Sequence, residues 1–475
     1  MTGSVDSRHR SLRRAAGMAT IALLVVACSS SSASTAPSAA APSAAASTGT
    51  APSAAAPSEA ASAAASAAAS AAVELNYTSG TAGSLGSTTI RSNEHEPVPA
   101  ASVKAMVDYC TAKAGVQAAV QTTNHNDFQD QFNSYMQATP EDIVKWFTGE
   151  RLRFPARNGL LTPIDDVWQT IAANYSDGMA KASQGDDGKK YAVPIVSYPW
   201  VINYRKSLFE SKGYTVPKTW DEFVTLAKKI QADGLIPLAF ADKDGWPAMG
   251  TFDVLNMRMN GYQFHADLLA GKQKWTDPKV QAVFAKWAEL LPYTQPDPLG
   301  RTWQEGAQTW ANNKAAMYFL GTFASQQVAT ADLADVDFFP FPTLGTEFDS
   351  ELGIDAPVDA WILSKAPKNL PAAEAMLACF ATPEAQLAFL GKDHSQIPAS
   401  TVTDTSSFTP QQTKMAEIIG ASGGVAQFLD RDTRSDFAGA QGMQALLQDF
   451  IKTPSQDLAA YTAKIQGVYD ALPPQ

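Results

Sequence analysis

The sequence has few cysteines, few histidines and a deficit of basic residues, and each shortage excludes a class of protein. Its 475 residues include three Cys and five His, and the histidines are scattered without the spacing of metal ligands. Lys and Arg number 36 against 47 acids, a net charge of −11, whereas nucleic-acid binding requires clustered bases. No segment after the first 30 residues has the roughly 18 unbroken apolar residues of a membrane-spanning helix. We therefore expect no nucleic-acid partner, no metal and no cofactor.

The first 28 residues carry the strongest local signal. Four arginines precede a short apolar run, residues 15–27, which ends in Val-Val-Ala-Cys at Cys28. A small residue followed by Cys at this point resembles a bacterial lipobox, in which the Cys is lipidated and the preceding peptide is removed. We interpret residues 1–27 as a lipoprotein signal peptide and Cys28 as the lipidation site. The lipid would anchor the protein to the outer face of the cell membrane; a plain secretory signal peptide is the alternative.

Residues 28–72 differ in composition from everything that follows. After Cys28 they are almost entirely Ser, Ala and Pro. Such a segment has no large apolar side chains with which to build a core, so it is predicted to be a disordered tether. A flexible chain of this length would separate a folded domain from a membrane by roughly 35–40 Å.

Two cysteines remain once Cys28 is assigned to the lipid. Cys110 and Cys379 both lie in segments with helical periodicity. In an oxidising compartment two such thiols can form one disulfide, and two buried unpaired thiols are the alternative. The sequence leaves both possibilities open.

From about residue 73 the chain alternates between predicted strands and helices. Strands are predicted over 88–91, 116–121 and 141–147, with helices over 102–114 and 128–136. A capping box, Thr219 with Glu222, begins a later helix that ends at Gly234, before a strand over 235–240. Repeated β-α-β units of this spacing predict an α/β fold with mostly parallel sheets.

Several stretches occur in the order known from one family. They are EDIVKW (141–146), GLLTPI (159–164), DGKKYAVP (187–194), NYRKSLF (203–209), PKTWDEF (217–223), NKAAM (313–317), GTF (321–323) and TPEAQ (382–386). With these stretches the chain resembles the family 1 extracellular solute-binding proteins of carbohydrate ABC importers, the maltose-binding-protein-like class. The resemblance extends from about residue 85 to the C-terminus.

The resemblance implies a two-lobe, periplasmic-binding-protein-like fold with a cleft between the lobes and several hinge crossovers. Lobe 1 would contain residues 74–195 and 353–416, and lobe 2 residues 196–352 and 417–475. The crossovers would lie near 193–196 and 351–356. Such a protein would be a monomer that captures a mono- or oligosaccharide between its lobes and delivers it to an importer permease.

A sugar site needs flat aromatic rings for the C–H faces and planar polar groups for the hydroxyls. In α/β sheets such groups are expected beyond the carboxyl ends of strands and at crossovers. The positions of Trp146 and Tyr198 match ligand contacts in the maltose-binding type. The full set of predicted ligand-binding residues is Trp146, Thr148, Glu150, Arg151, Glu94, His95, Tyr198, Trp200, Asp242, Asp244, Trp246, Phe323, Asp355, Asp359, Asp430, Asp432 and Phe437.

Four other functions are weighed against sugar capture. Residues 420–424 fit the G-x-S-x-G pattern, but a helix rather than a strand is predicted before them, so we expect no enzyme. Residues 242–245 look like the start of a calcium loop without its later ligands, and we interpret them as a turn. A non-sugar cargo such as a peptide, polyol or phosphorylated glycerol stays open, because Arg151 and Arg153 lie near the predicted site. A structural envelope lipoprotein is the last alternative.

Overall fold

The computed structural model describes residues 76–474. The predicted signal peptide, Cys28 and the predicted tether over residues 28–72 all lie outside the described residues. Among the helices that are described, none combines the length and the apolar character that crossing a membrane requires.

The described residues form strands that belong to three sheets. In chain order they are β1 (Tyr77–Ser79), β2 (Ser87–Ser92), β3 (Gln117–Thr122), β4 (Ile143–Phe147), β5 (Ala192–Ser197), β6 (Trp200–Arg205), β7 (Ile236–Ala239), β8 (Ala315–Gly321), β9 (Val336–Phe339), β10 (Ile354–Asp355), β11 (Val358–Leu363), β12 (Ile397–Pro398) and β13 (Val425–Ala426).

Helices connect and cover these strands. In chain order they are α1 (Pro97–Ala114), α2 (His125–Gln137), α3 (Glu150–Arg157), α4 (Asp165–Ile171), α5 (Asp177–Ala182), α6 (Lys206–Lys212), α7 (Trp220–Ala232), α8 (Pro247–Leu269), α9 (Pro278–Leu290), α10 (Trp303–Ala311), α11 (Leu370–Phe380), α12 (Pro383–Leu390), α13 (Pro410–Ala421), α14 (Leu429–Asp432), α15 (Ser435–Ala438), α16 (Met443–Lys452) and α17 (Leu458–Asp470). The capping box at Thr219 and Glu222 is present at the start of α7.

The larger sheet has the strand order β1-β3-β2-β4-β11-β5-β12, and the smaller sheet has the order β7-β8-β6-β9. Strands β2, β3 and β4 are parallel, as are β7 and β8, but β11 lies antiparallel between β4 and β5. The expectation of mostly parallel sheets is therefore wrong, and both sheets are mixed. The α/β class is correct, and the two sheets with their helices form two lobes.

The chain passes from the larger to the smaller sheet at Tyr198 and Pro199, between β5 and β6. The crossover predicted over 193–196 is thus too early, because those residues pair with β11 as part of β5. The return passage contains β10, which pairs with β13 in a separate two-stranded sheet. The predicted boundary at 416/417 falls inside α13, whose Met415 packs with Val201 and Phe338 near the smaller sheet.

A disulfide joins α1 to α11. Cys110 and Cys379 are bridged, with their Cα atoms 5.7 Å apart and a sequence separation of 269. Both lie in the apolar core of the larger-sheet lobe, where α1 and α11 cover one face of the sheet. The bridge therefore ties the first helix of this lobe to a segment that the chain adds after returning from the other lobe.

Candidate functional site

A cavity lies between the two sheets, and side chains from both lobes line it. The volume of the cavity is about 90 Å³. It is lined by Glu94, His95, Glu96, Pro99, His125, Gln129, Phe147, Tyr198, Trp200, Trp246, Trp303, Gln304, Phe323, Gln326, Pro357, Asp359, Gln396, Phe428, Asp430 and Arg431. The cavity has room for several water molecules or one small solute.

One wall of the cavity is aromatic and belongs mainly to the smaller-sheet lobe. Trp200 begins β6 and pairs with Gly321 at the end of β8, so Phe323 follows beside it. Trp200 stacks on Phe428 with 4.7 Å between ring centroids, and Trp303 meets Phe323 edge to face at 5.2 Å. Trp246 completes the wall immediately before α8. These rings offer flat apolar faces to a bound molecule.

The opposite wall is polar, and a buried network of charges fixes it. Lys145 on β4 is 1% exposed, and its Nζ donates to Glu94 and, at 3.0 Å, to Asp359 on β11. Arg431 donates from Nη1 to Asp359 at 3.1 Å and from Nη2 to the Tyr198 hydroxyl at 3.2 Å. Burial acts to raise the pKa of Asp359, but Lys145 and Arg431 outweigh it, so that pKa is lowered. Asp359 is therefore an ionised acceptor at neutral pH.

Two histidines lie at the same wall with different electrostatic surroundings. The hydrogen bond from His95 to Glu96 raises the pKa of His95, and Glu96 also accepts from Gln304 at 3.1 Å. Burial lowers the pKa of His125, whose Nδ1 faces the Asn93 amide at 3.2 Å. His95 can thus carry a charge close to neutral pH, whereas His125 stays neutral.

Hydrogen bonds connect the lobes across the cavity. Asn126 on α2 donates to Asp244, which follows β7, at 2.8 Å. Gln304 on α10 reaches Glu96 from the other lobe. Arg151 on α3 pairs with Asp430 at 2.8 Å. These links describe a closed arrangement of the two lobes.

The structure brings eight of the predicted site residues to the cavity. They are Glu94, His95, Tyr198, Trp200, Trp246, Phe323, Asp359 and Asp430. Sequence reasoning missed Phe147, Trp303, Phe428 and Arg431 among others. Both Trp303 and Arg431 could have been found from the sequence. Trp303 follows Thr302, which caps a helix, and Arg431 lies between Asp430 and Asp432, which are both predicted site residues.

Trp146 is the main correction. It is 1% exposed, stacks on Phe132 with 3.5 Å between centroids inside an apolar cluster, and does not line the cavity. Successive side chains of a strand point to opposite faces. On β4 that places Lys145 and Phe147 towards the cavity and Trp146 towards α2. The predicted role of Trp146 as a ligand contact is therefore wrong.

Three predicted residues beyond β4 are also engaged elsewhere. The Thr148 hydroxyl donates to the Gln427 side chain at 2.8 Å. Glu150 is buried and forms ion pairs with Arg153 and Arg157. Arg151 is held by Asp430 and lies outside the lining. All three positions follow β4, but their side chains are held by these partners and none of them lines the cavity.

Several predicted residues instead hold the backbone that shapes the site. Asp242 accepts the N–H of Ala248 at 2.8 Å, and burial raises its pKa to about 8. Asp244 accepts the N–H of Trp303 at 2.9 Å. Asp432 accepts the N–H groups of Gln427 and Phe428. These acids satisfy donors at helix starts and turns, which explains their place in the sequence without ligand contact.

The last two corrections are residues of the interior. Phe437 is fully buried and packs against Trp275 with 5.4 Å between centroids. Asp355 is 1% exposed and faces other buried polar groups rather than the cavity. Neither lines the site.

Two α/β lobes that enclose a small cavity, joined by a chain that crosses between them more than once, define a binding protein that closes on a solute. Residues 93–387 match the family of bacterial extracellular solute-binding proteins, and the chain belongs to that family.

The bacterial solute receptor AcbH, described as having an exclusive preference for β-D-galactopyranose, is 42% identical to this chain. That comparison covers 81% of this chain and 98% of AcbH, with a TM-score of 0.79. The α-glucosides-binding periplasmic protein AglE of Rhizobium meliloti is 25% identical over 67% of this chain and 73% of its own length. An ABC transporter extracellular-binding protein of Pyrococcus horikoshii is 27% identical over a stretch that covers 53% of this chain and 56% of the relative. A second such protein of Pyrococcus horikoshii is 29% identical over a stretch that covers 45% of this chain and 49% of the relative. The chain thus spans about half the length of these archaeal relatives.

Proposed function

We propose that this protein captures a sugar in the cavity between its lobes, outside the cytoplasm, and delivers it to the permease of an ABC importer. The observation that carries the proposal is the cavity itself. Aromatic rings on one wall face charged and amide groups on the other. A pyranose has the matching surfaces, with apolar C–H faces and a rim of hydroxyls that pair with planar polar groups.

The size of the cavity favours a single sugar ring over an oligosaccharide. The cavity of about 90 Å³ is lined by side chains of low exposure, including Trp200 at 3% and Tyr198 at 7%. We therefore favour a monosaccharide, and the 42% identity to a receptor for β-D-galactopyranose makes D-galactose the first candidate.

The charges at the cavity favour a neutral ligand. Glu94, Glu96, Asp359 and Asp430 line it, against Arg431 as the permanently charged base among the lining residues. Arg431 is already paired with Asp359. Lys145, Arg431 and Arg151 are each paired with one of these acids, so none of the three is free to bind the phosphate of a phosphorylated glycerol. Hydroxyl groups, in contrast, can donate to these carboxylates.

The same proposal covers the anchor and the assembly. Cys28 would carry the lipid after removal of residues 1–27, and residues 28–72 would let the domain move above the membrane. The protein would act as a monomer with two lobes, divided where the chain crosses at Tyr198–Pro199, and it would catalyse no reaction. The relatives described as ABC transporter extracellular-binding proteins support a role in an ABC transporter, and AglE supports a sugar as the cargo.

A thermal-shift screen tests the proposal and separates its rivals. The protein is heated with D-galactose, other monosaccharides, disaccharides, a peptide mixture and glycerol 3-phosphate. A ligand at a hundredfold excess over Kd adds about 2.7 kcal/mol to the free energy of unfolding. A shift with a monosaccharide alone supports the proposal. A shift only with peptides or the phosphorylated polyol favours a non-sugar cargo, and no shift at all favours a structural envelope lipoprotein.

A further inference from the structure

A second cluster of polar side chains lies in the interior, behind the wall formed by α14. It consists of Asp253 and His265 on α8 and Asp355 on β10, and all three are 0–1% exposed. One ligand atom from each residue lies within 4.8 Å of the other two. None of these residues lines the sugar cavity. The cluster is therefore separate from the proposed binding site, and the inference below does not depend on the sugar.

A break in α8 brings two of these residues together. Asp253 and His265 are twelve residues apart, which is about 18 Å along an unbroken helix. Gly261 interrupts the helix with φ 81° and ψ 159°. A Cβ on Gly261 would lie 2.6 Å from the Phe348 ring, so the break needs glycine both for its φ and for space. The chain turns back there, and His265 Nε2 comes to 3.8 Å from Asp253 Oδ1.

The polar atoms that face one another have no hydrogen-bond partner among the described residues. They are Asp253 Oδ1, His265 Nε2 and both carboxylate oxygens of Asp355. A separation of 3.8 Å is too long for a hydrogen bond between His265 and Asp253. Four unpartnered polar atoms in one buried place would each cost free energy. A shared ligand would satisfy all of them at once.

The surroundings hold these side chains in place from outside the cluster. Asp253 Oδ2 accepts the N–H of Leu429 at 2.7 Å. Nδ1 of His265 lies 3.1 Å from the Asn256 amide, which accepts from Asn260 at 2.8 Å. In this arrangement the Asn256 nitrogen donates to Nδ1 and its oxygen accepts from Asn260. Ligation through Nε2 requires the Asn256 side chain to turn, so that its oxygen accepts from Nδ1–H and Nε2 is left as a lone pair. Such a partner on the far side of the ring is typical of a metal-ligating histidine.

We propose that Asp253, His265 and Asp355 bind a divalent transition-metal cation, with zinc as the best-fitting class. One imidazole nitrogen and two carboxylates are ligands that Zn²⁺ accepts at about 2.0–2.2 Å, whereas Ca²⁺ and Mg²⁺ prefer oxygen alone. Tetrahedral ligands at those bond lengths lie about 3.4 Å apart. The 3.8 Å gap between His265 and Asp253 would close with a shift of a few tenths of an ångström, whereas separations of up to 4.8 Å within the cluster require Asp355 to move by about an ångström.

Such a cation would join three segments of the chain. Asp253 belongs to the long helix of the smaller-sheet lobe, and Asp355 lies on the return passage between the lobes. Leu429, bonded to Asp253, begins the short helix that carries Asp430 and Arg431 to the cavity. The cation would therefore stabilise the base of the hinge and the support of one cavity wall.

A competing explanation is a proton in place of the metal. Burial, and then the charge of Asp355, raise the pKa of Asp253, and burial, followed by the charge of Asp432, raises the pKa of Asp355. One protonated carboxyl would relieve the repulsion between the two acids, but it would leave His265 Nε2 without a partner. The two explanations predict opposite effects of neutral substitutions.

The test measures metal content and stability of the full-length protein after unfolding with a chelator and refolding with or without Zn²⁺. We expect one zinc per chain by elemental analysis and a higher melting temperature with zinc. Asp355→Asn should lose the stoichiometric zinc and the shift. Asn256→Ala should weaken zinc affinity about 10- to 100-fold. If Asp355→Asn fails to fold, His265→Gln replaces it.

Asp242→Asn is the matched control, because Asp242 is an equally buried acid outside the cluster. It should keep the zinc. Three results would overturn the proposal. In the first, the wild-type protein refolds without metal and its melting temperature does not change with zinc. In the second, the Asp355→Asn variant still binds one zinc per chain. In the third, the Asp355→Asn variant is more stable than the wild-type protein in the presence of zinc. The last result would identify a protonated carboxyl instead.

Discussion

Two tryptophans, 100 residues apart, should respond in opposite ways to replacement by alanine. Trp146 is enclosed in the core of the larger-sheet lobe, stacked on Phe132 and edge to face with Phe128. Trp246 is only partly buried and lines the cavity beside Trp200 and Phe323. We expect Trp146→Ala to lower stability and Trp246→Ala to lower affinity for the sugar.

The magnitudes follow from these surroundings. Removing a fully buried tryptophan costs about 3–5 kcal/mol, because the cavity left behind fills only partly. For roughly 400 residues unfolding together, that is a fall in Tm of about 4–6 °C. An aromatic contact to a ligand contributes about 1–3 kcal/mol, so Trp246→Ala should weaken binding about 5- to 150-fold.

Calorimetric titration with D-galactose and thermal unfolding, done on both variants and on wild type, separate the two roles. Trp146→Ala should bind with nearly unchanged Kd at 20 °C while its Tm is lowered. Trp246→Ala should show the reverse. The reasoning is refuted if Trp146→Ala loses affinity at unchanged Tm, or if Trp246→Ala binds as wild type does.

Four further predictions concern other parts of the molecule. Replacing Cys110 and Cys379 together by Ser should lower the free energy of unfolding by about 2–5 kcal/mol, measured by denaturant titration, with sugar binding kept; unchanged stability would contradict a structural bridge. Gln304→Ala removes a hydrogen bond to Glu96 between the lobes and should weaken sugar binding about 2- to 13-fold, chiefly through faster dissociation in stopped-flow measurements; a gain in affinity would argue against closure through this contact. Burial raises the pKa of Asp242 to about 8, so the folded state binds more protons than the unfolded state between about pH 4 and 8, and stability falls as pH rises through this window. Asp242→Asn should therefore gain stability relative to wild type from pH 5 to pH 8 in urea midpoints, and a pH-independent difference would contradict the shift. Cys28→Ala should move the protein from the membrane to the soluble fraction of cells that express it, and retention at the membrane would contradict lipidation.

The sequence predicted the α/β class, the order of most elements and the family, because helix caps and apolar periodicity are local. The capping box at Thr219 and the helix before the G-x-S-x-G segment are both present. Local patterns did not reveal that β11 enters the larger sheet antiparallel between β4 and β5. That pairing joins residues more than 150 positions apart and depends on the whole chain.

The candidate site was only half predictable for a similar reason. Strand β4 is buried on both faces, so it has no alternation of apolar and polar residues to show which side meets the cavity. Trp146 and Phe147 were therefore indistinguishable by pattern. Arg431 donates to Asp359, which is 72 residues away in sequence, whereas its neighbour Asp432 accepts a backbone N–H of a turn. Only the folded chain shows these different roles.

The central claim is that the cavity binds one neutral monosaccharide, and isothermal titration of the wild-type protein tests it most directly. D-galactose, D-glucose, a disaccharide and glycerol 3-phosphate are titrated under the same conditions. The structure predicts saturable binding of one monosaccharide per chain and weaker or undetectable binding of the disaccharide and the phosphate. Binding of the phosphate or the disaccharide without binding of any monosaccharide would contradict the account.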